Sequence, residues 1–283
     1  MYALQLDDYQ LHSLTIDLPC KVKSIAGLGF PDVRLDQYAR AGTHGVTIAH
    51  NLYGGRLITL EGTIRGATPS AYLANRQALQ AAVGLKLDSN NVPETRTLYL
   101  TDLAGTPYRV EVVTKSFQAD YASPGLTWGR WQLQLQASDY IIESGTESSV
   151  TMTLPVSGGV TFPLTFPITF GASSGGSATA TNAGNAAVYP TVTISGPVVN
   201  PVLTNDATGE SLRLNITLLA GDTLVVNTRR RTILLGQTNK MSSKIAGSTF
   251  WSLPPGDNPL RFAGDTYNTG TATIIYRPAW LGL

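Results

Sequence analysis

Cysteine is almost absent, with Cys20 the only one among 283 residues. A single thiol excludes an internal disulfide framework and any cysteine-rich zinc site. Charge is scarce as well: charged residues make up 14% of the chain, where a typical soluble domain carries roughly 25%. Lys and Arg number 20 against 19 Asp and Glu, so no net field draws the chain to nucleic acid or to an anionic membrane. No run approaches the roughly 18–20 uninterrupted apolar residues of a membrane span. The opening residues, MYALQLDDYQLHSL, place acidic groups where a secretory signal needs a basic region and an apolar run. The expectation is a chain made in the cytoplasm that stays soluble or leaves by a route needing no signal.

Strand patterning is abundant. In residues 130–137, Trp131, Leu133, Leu135 and Ala137 alternate with Arg130, Gln132, Gln134 and Gln136, which puts every apolar side chain on one face of a strand. Ile58, Leu60, Gly62 and Ile64 alternate in the same way with Thr59, Glu61, Thr63 and Arg65, and Leu212, Leu214, Ile216 and Leu218 with Ser211, Arg213, Asn215 and Thr217. These read as half-buried antiparallel strands separated by turn clusters at residues 53–55, 206–209 and 264–270. One helix is predicted. Thr68 is its N-cap, Pro69 its first residue, and Gly84 its close, with Tyr72, Leu79 and Val83 on one face.

The pattern weakens between residues 139 and 161, where a Ser/Thr/Glu-rich stretch leads into Val156-Ser157-Gly158-Gly159. A domain boundary is expected there. Residues 171–181, GASSGGSATAT, read as a flexible loop opening the second domain. The strands that follow are short, as in a β-sandwich. No repeat of fixed period is visible.

Candidate chemistry is thin. His12, His44 and His50 are the only histidines, and with no cysteine or carboxylate pattern beside them they read as surface or edge residues. Gly171-Ala172-Ser173-Ser174-Gly175 fits the nucleophile-elbow pattern, but no helical pattern and no histidine follow it. Asp7-Asp8 reads as an ordinary turn. Arg229-Arg230-Arg231 lies between two strand patterns and reads as a hairpin tip. Among the four tryptophans, Trp131 belongs to the core by its alternation, and Trp251, beside Phe250 and Leu253, reads as a packed corner. Trp251 and Trp280 are nevertheless the candidates for stacking on a saccharide. No catalytic residue, metal ligand or cofactor site emerges, and the chain is read as non-enzymatic.

The second half carries an ordered series of motifs: Asn182-Ala183-Gly184, Tyr189-Pro190-Thr191-Val192, Asn205-Asp206-Ala207-Thr208-Gly209-Glu210, Gly221-Asp222-Thr223-Leu224, Phe250-Trp251-Ser252-Leu253-Pro254-Pro255-Gly256-Asp257-Asn258 and Ile274-Ile275-Tyr276-Arg277-Pro278-Ala279-Trp280. In order and spacing this series resembles the C-terminal domain of distal tail proteins from long, non-contractile-tailed bacteriophages. The first half resembles the N-terminal domain of the same family more loosely, through Gly27-Leu28-Gly29-Phe30-Pro31-Asp32-Val33-Arg34, the strand after Gly55-Arg56, the helix containing Arg76, and Ala137-Ser138-Asp139-Tyr140.

The resemblance implies a mainly β protein. Residues 1–143 would form a ring-building, tail-tube-like β-sandwich or barrel with one helix, residues 144–160 a linker, and residues 161–283 a galectin-like or carbohydrate-binding-module-like β-sandwich. It further implies a homo-hexameric ring at the virion's tail tip, joining the tail tube protein to tip and receptor-binding proteins. The tape-measure protein and then DNA would pass through its lumen without specific binding. The alternative is a module that recognises host cell-wall saccharide. Residues 21–40 show few core signals of their own and are expected to pair with a neighbouring subunit, so that loss of residues 20–40 would abolish the ring and leave the C-terminal domain folded.

Overall fold

The computed structural model describes residues 2–14, 17–120, 125–155, 176–265 and 269–283. The chain forms two compact units, Met1–Thr146 together with Trp280–Leu283, and Glu147–Ala279. In chain order the first unit contains β1 (Ala3–Leu6), β2 (Tyr9–His12), β3 (Cys20–Ala26), β4 (Val33–Ala39), β5 (Val46–Tyr53), β6 (Arg56–Arg65), α1 (Pro69–Val83), β7 (Arg96–Thr101), β8 (Pro107–Ala119), β9 (Trp128–Ala137) and β10 (Ile142–Ser144). Its main sheet runs β2-β1-β7-β8-β9-β6-β3, with β10 added against β8, and these neighbours are antiparallel. β4 and β5 pair only with each other.

The predicted alternation survives at the centre of this sheet. Ile58 faces Leu135, Leu60 faces Leu133 and Gly62 faces Trp131 across the β6–β9 ladder, and all six are buried. Gly62 is glycine for a steric reason: a Cβ there would collide with the Lys21 carbonyl oxygen and the Trp131 ring. Helix α1 begins as expected, with Thr68 Oγ1 accepting the Ala71 N–H at 3.1 Å and proline in the first turn. Its buried residues, Tyr72, Leu79 and Val83, join the core formed by the sheet. The end of the helix differs from the expectation, because Gly84 has φ −56° and leaves along extended backbone with no left-handed cap.

The second unit continues with β11 (Ser148–Thr153), β12 (Ser177–Asn182), β13 (Thr191–Ser195), β14 (Val198–Val199), β15 (Val202–Asn205), β16 (Glu210–Arg213), β17 (Thr217–Leu218), β18 (Thr223–Asn227), β19 (Thr232–Leu235), β20 (Thr238–Asn239), β21 (Gly256–Ala263) and β22 (Thr271–Tyr276). A six-stranded sheet, β11-β22-β13-β18-β19-β20, and a four-stranded one, β12-β21-β15-β16, are accompanied by the β14–β17 pair. Val192, Ile194, Leu224, Val226 and Ile274 are buried on the larger sheet, and Ala180, Leu203, Leu260 and Phe262 on the smaller. The fold is mainly β and sandwich-like, as the sequence patterning implied.

Several local expectations change. Leu212, Leu214 and Leu218 are buried in alternation, but the backbone does not stay in one strand. It leaves the smaller sheet after Arg213 and joins β14 at Thr217, with the Asn215 N–H donating to Ser243 O and the Ile216 carbonyl accepting from Asn200 on the way. Residues 177–181, expected in a flexible loop, belong to β12, which pairs along its length with β21. Within the expected linker, Ser148–Thr153 is a strand paired with β22. Residues 156–175, which include the Val156–Gly159 stretch and the Gly171–Gly175 motif, lie outside the described residues.

Candidate assembly interface

The β4–β5 hairpin is the feature that core formation leaves unexplained. Every residue of β4 is exposed, and so is all of β5 except Thr47. Cross-strand pairing puts Val33 with Tyr53, Leu35 with Asn51, Gln37 with Ile48 and Ala39 with Val46. Paired residues share a face, so one face of the arm is largely apolar. Leu35 is 53% exposed, Ile48 54% and Val46 45%. A bulge between Leu35 and Gln37 sharpens the local twist and carries this face onward. An isolated two-stranded hairpin is marginally stable in water, and a contiguous apolar strip on one marks an interaction surface.

The arm's root, by contrast, is tightly built. The Gly54 N–H donates to the Asp32 carbonyl at 2.7 Å and closes the base of the hairpin. Phe30 meets Tyr53 edge-on at 5.5 Å, and Tyr53 stacks on Tyr140 at 5.0 Å. Gly27 has φ +91°, and a side chain on it would strike the Leu57 carbonyl. Arg56 lies at the same root and is only 2% exposed. One terminal nitrogen donates to the Gly27 carbonyl at 2.8 Å and to the Gly29 carbonyl. The other donates to Tyr140 O at 2.8 Å and to Leu281 O at 2.6 Å. Burial pulls the pKa of this guanidinium down, and the nearby Asp32 carboxylate pulls it back up.

The residues singled out from sequence fall in different places. Trp251 offers no face to a sugar: it is 1% exposed, one of the largest fully buried side chains, because the 250–253 corner turns it into the second unit's core. Trp280 is half-buried, with its ring and that of Tyr108 in an edge-to-face pair at 5.3 Å. His44 and His50 are exposed on the arm, whereas His12 is buried but lies on β2, an edge strand of the main sheet, as the surface-or-edge reading allows. Burial, offset in part by the Trp131 indole, pushes the Cys20 thiol up to about 12. Arg229, Arg230 and Arg231 lie in the turn between β18 and β19.

Three asparagines of the second-half motifs, Asn182, Asn205 and Asn258, are buried. The Asn182 amide donates to Ala186 O and Leu253 O, the Asn205 amide to Ser252 O, and the Asn258 amide to Pro254 O and Gly256 O. All three buried amides converge on the loop at residues 252–256 and donate to its carbonyls. Gly184 completes the Asn182-Ala183-Gly184 motif by giving its N–H to Asn182 Oδ1 at a point where a side chain would strike Ala279.

Comparison with known proteins finds folds similar to this mainly β chain among phage tail components. Residues 183–280 match the family described as siphovirus-type tail component, C-terminal domain. A search of curated proteins finds no match. Among solved structures, the Dit protein of phage SPP1, described as a paradigm of the hub adsorption apparatus in phages infecting Gram-positive bacteria, superposes with a TM-score of 0.67 at 13% identity over 99% of both chains. Two structures of the phage P2 baseplate in its activated conformation, with calcium and with strontium, each match with a TM-score of 0.51 over 98% of both chains, at 9% and 10% identity. Residues 183–280 thus resemble a tail-component C-terminal domain, and the fold of the chain is similar to that of SPP1 Dit.

Proposed function

We propose that this chain is a structural subunit of a phage tail tip, six copies of which close into a ring that joins the tail tube to the host-recognition apparatus. The exposed apolar face of the β4–β5 arm carries this reading, because a subunit working alone gains nothing from it. A ring requires a heterologous contact, one patch on each copy meeting a different patch on the next. An arm projecting from its own sheet supplies one half of such a contact, and an uncovered edge of the main sheet can supply the other. On this reading residues 1–143 build the ring, and the second unit meets receptor-binding or other tip proteins. The lumen passes the tape-measure protein and then DNA, and the near balance of 20 basic and 19 acidic residues lets a polyanion through without gripping it. The virion's tail tip is the corresponding location.

The test is the solution mass of the purified protein by light scattering after size exclusion, with negative-stain images of the peak. Six copies in an open ring support the reading. A monomer at every accessible concentration, persisting when tube and tip proteins are added, overturns it. Saccharide recognition as the primary role loses its main support with the burial of Trp251.

A further inference from the structure

We propose that Arg56 and the segment at residues 280–283 position the arm: together they fix the angle at which β4–β5 leaves its own protomer, and so decide whether its apolar face can meet a second copy. The inference rests on the assembly reading above and assigns the groups that make it work.

Arg56 lies two residues beyond Gly54, just after the strand that leaves the arm, and it holds Gly27 and Gly29 on the connection between β3 and β4 that enters it. One side chain thus ties the way in to the way out. Without it the arm would hang on a glycine-containing entry and on Gly54-Gly55, connections suited to swinging. The second pair of hydrogen bonds fastens that junction to two remote points, Tyr140, whose ring supports Tyr53, and Leu281. Residues beyond Leu281 tighten the same spot. The Leu283 N–H donates to Leu28 O at 3.0 Å, and Gly282 lies so close to Gly29 that any side chain on it would meet the Gly29 backbone.

The choice of residue supports a positioning role over simple core filling. Arg56 occupies the inward face of β6, in register with Ile58, Leu60 and Ile64, where a leucine or methionine would fill space without burying charge. A guanidinium can serve four carbonyls because its donors are held in a planar fork, whereas an ammonium has three donors radiating from one point. All four acceptors are backbone atoms, so the site fixes where the chain runs rather than which side chains it carries.

The experiment uses the full chain with spin labels at Thr43→Cys near the arm tip and Leu103→Cys on the exposed β7–β8 turn, in a Cys20→Ser background, diluted with unlabelled protein so that only distances within one chain are read. The parent should give one narrow distance distribution. Arg56→Lys, which keeps the charge and the stem, and a chain ending at Trp280, which keeps Arg56, should each remain folded by circular dichroism. Each should broaden the distribution at least twofold, and the hexamer fraction at fixed concentration should fall at least tenfold. Two folded variants with the parental width overturn the proposal. If the parent itself is monomeric, the widths alone decide the positioning role, and it is the ring reading that falls.

Discussion

Asp7 turns the chain between β1 and β2 with φ +48°, and its carboxylate does more than end a strand. One oxygen accepts the Thr97 N–H at 2.9 Å and the other accepts Arg96 Nε at 2.7 Å, while Arg96 itself is buried. Burial works to raise the Asp7 pKa, but the Thr97 and Arg96 hydrogen bonds, with the Arg96 and Lys86 charges, outweigh it and leave the carboxyl below its usual range. Asn tolerates left-handed backbone about as well as Asp, so Asp7→Asn isolates the charge. The substitution should lower stability by about 1–2 kcal/mol at pH 7, a value discounted for the carboxylate's partial exposure. A depressed carboxyl pKa stabilises fully above the unfolded value of roughly 3.9 and loses its effect as pH falls through the folded value. The gap between parent and variant in urea melts should therefore hold from pH 7 to about pH 5 and close at lower pH; a gap independent of pH would refute this account.

At the scale of elements, the loop at residues 252–256 is as firmly specified as any strand, although it has no regular structure for most of its length. Asn258→Ala should cost about 1–3 kcal/mol, since it removes a fully buried amide and the hydrogen bonds it donates to the Pro254 and Gly256 carbonyls. Urea melts would read the loss, and hydrogen exchange should show it confined to the second unit. The elements were unevenly legible in the sequence. β6 and β9 could be read from alternation because each has one wet face and one core face. β3 could not, because a bulge between Val22 and Ser24 breaks the period, which made residues 21–40 look poor in core signals. Val22 and Leu28 are in fact core residues. The arm shows the opposite failure, since its alternation resembles that of a half-buried strand and period alone does not say whether the apolar face meets the chain's own core or another molecule. Arg56 did leave a trace, a charged residue at an inward position of β6. Its bond to Leu281, 225 residues away, has no local signature.

For the whole molecule, the burial of Cys20, Val22 and Leu28 changes which deletion tests assembly. Removing residues 20–40 would take out an edge strand and part of the core along with half of the arm. Excising residues 33–53 and joining Asp32 to Gly54 through two glycines is cleaner, because those residues already meet at 2.7 Å. This variant should keep its circular dichroism spectrum and behave as a single copy in light scattering; a hexamer would show that the arm is dispensable. The first unit is also discontinuous in sequence, since Glu147–Ala279 is inserted before Trp280–Leu283. Translation proceeds at roughly 5–20 residues per second, so the intervening stretch separates the two parts by about 7–27 seconds of synthesis. Until Leu281 emerges, Arg56 lacks one of its four acceptors and the arm of a nascent chain is not fully fastened. On the assembly reading proposed above, that delay would keep neighbouring unfinished copies on a polysome from engaging one another before each has been made through residue 281.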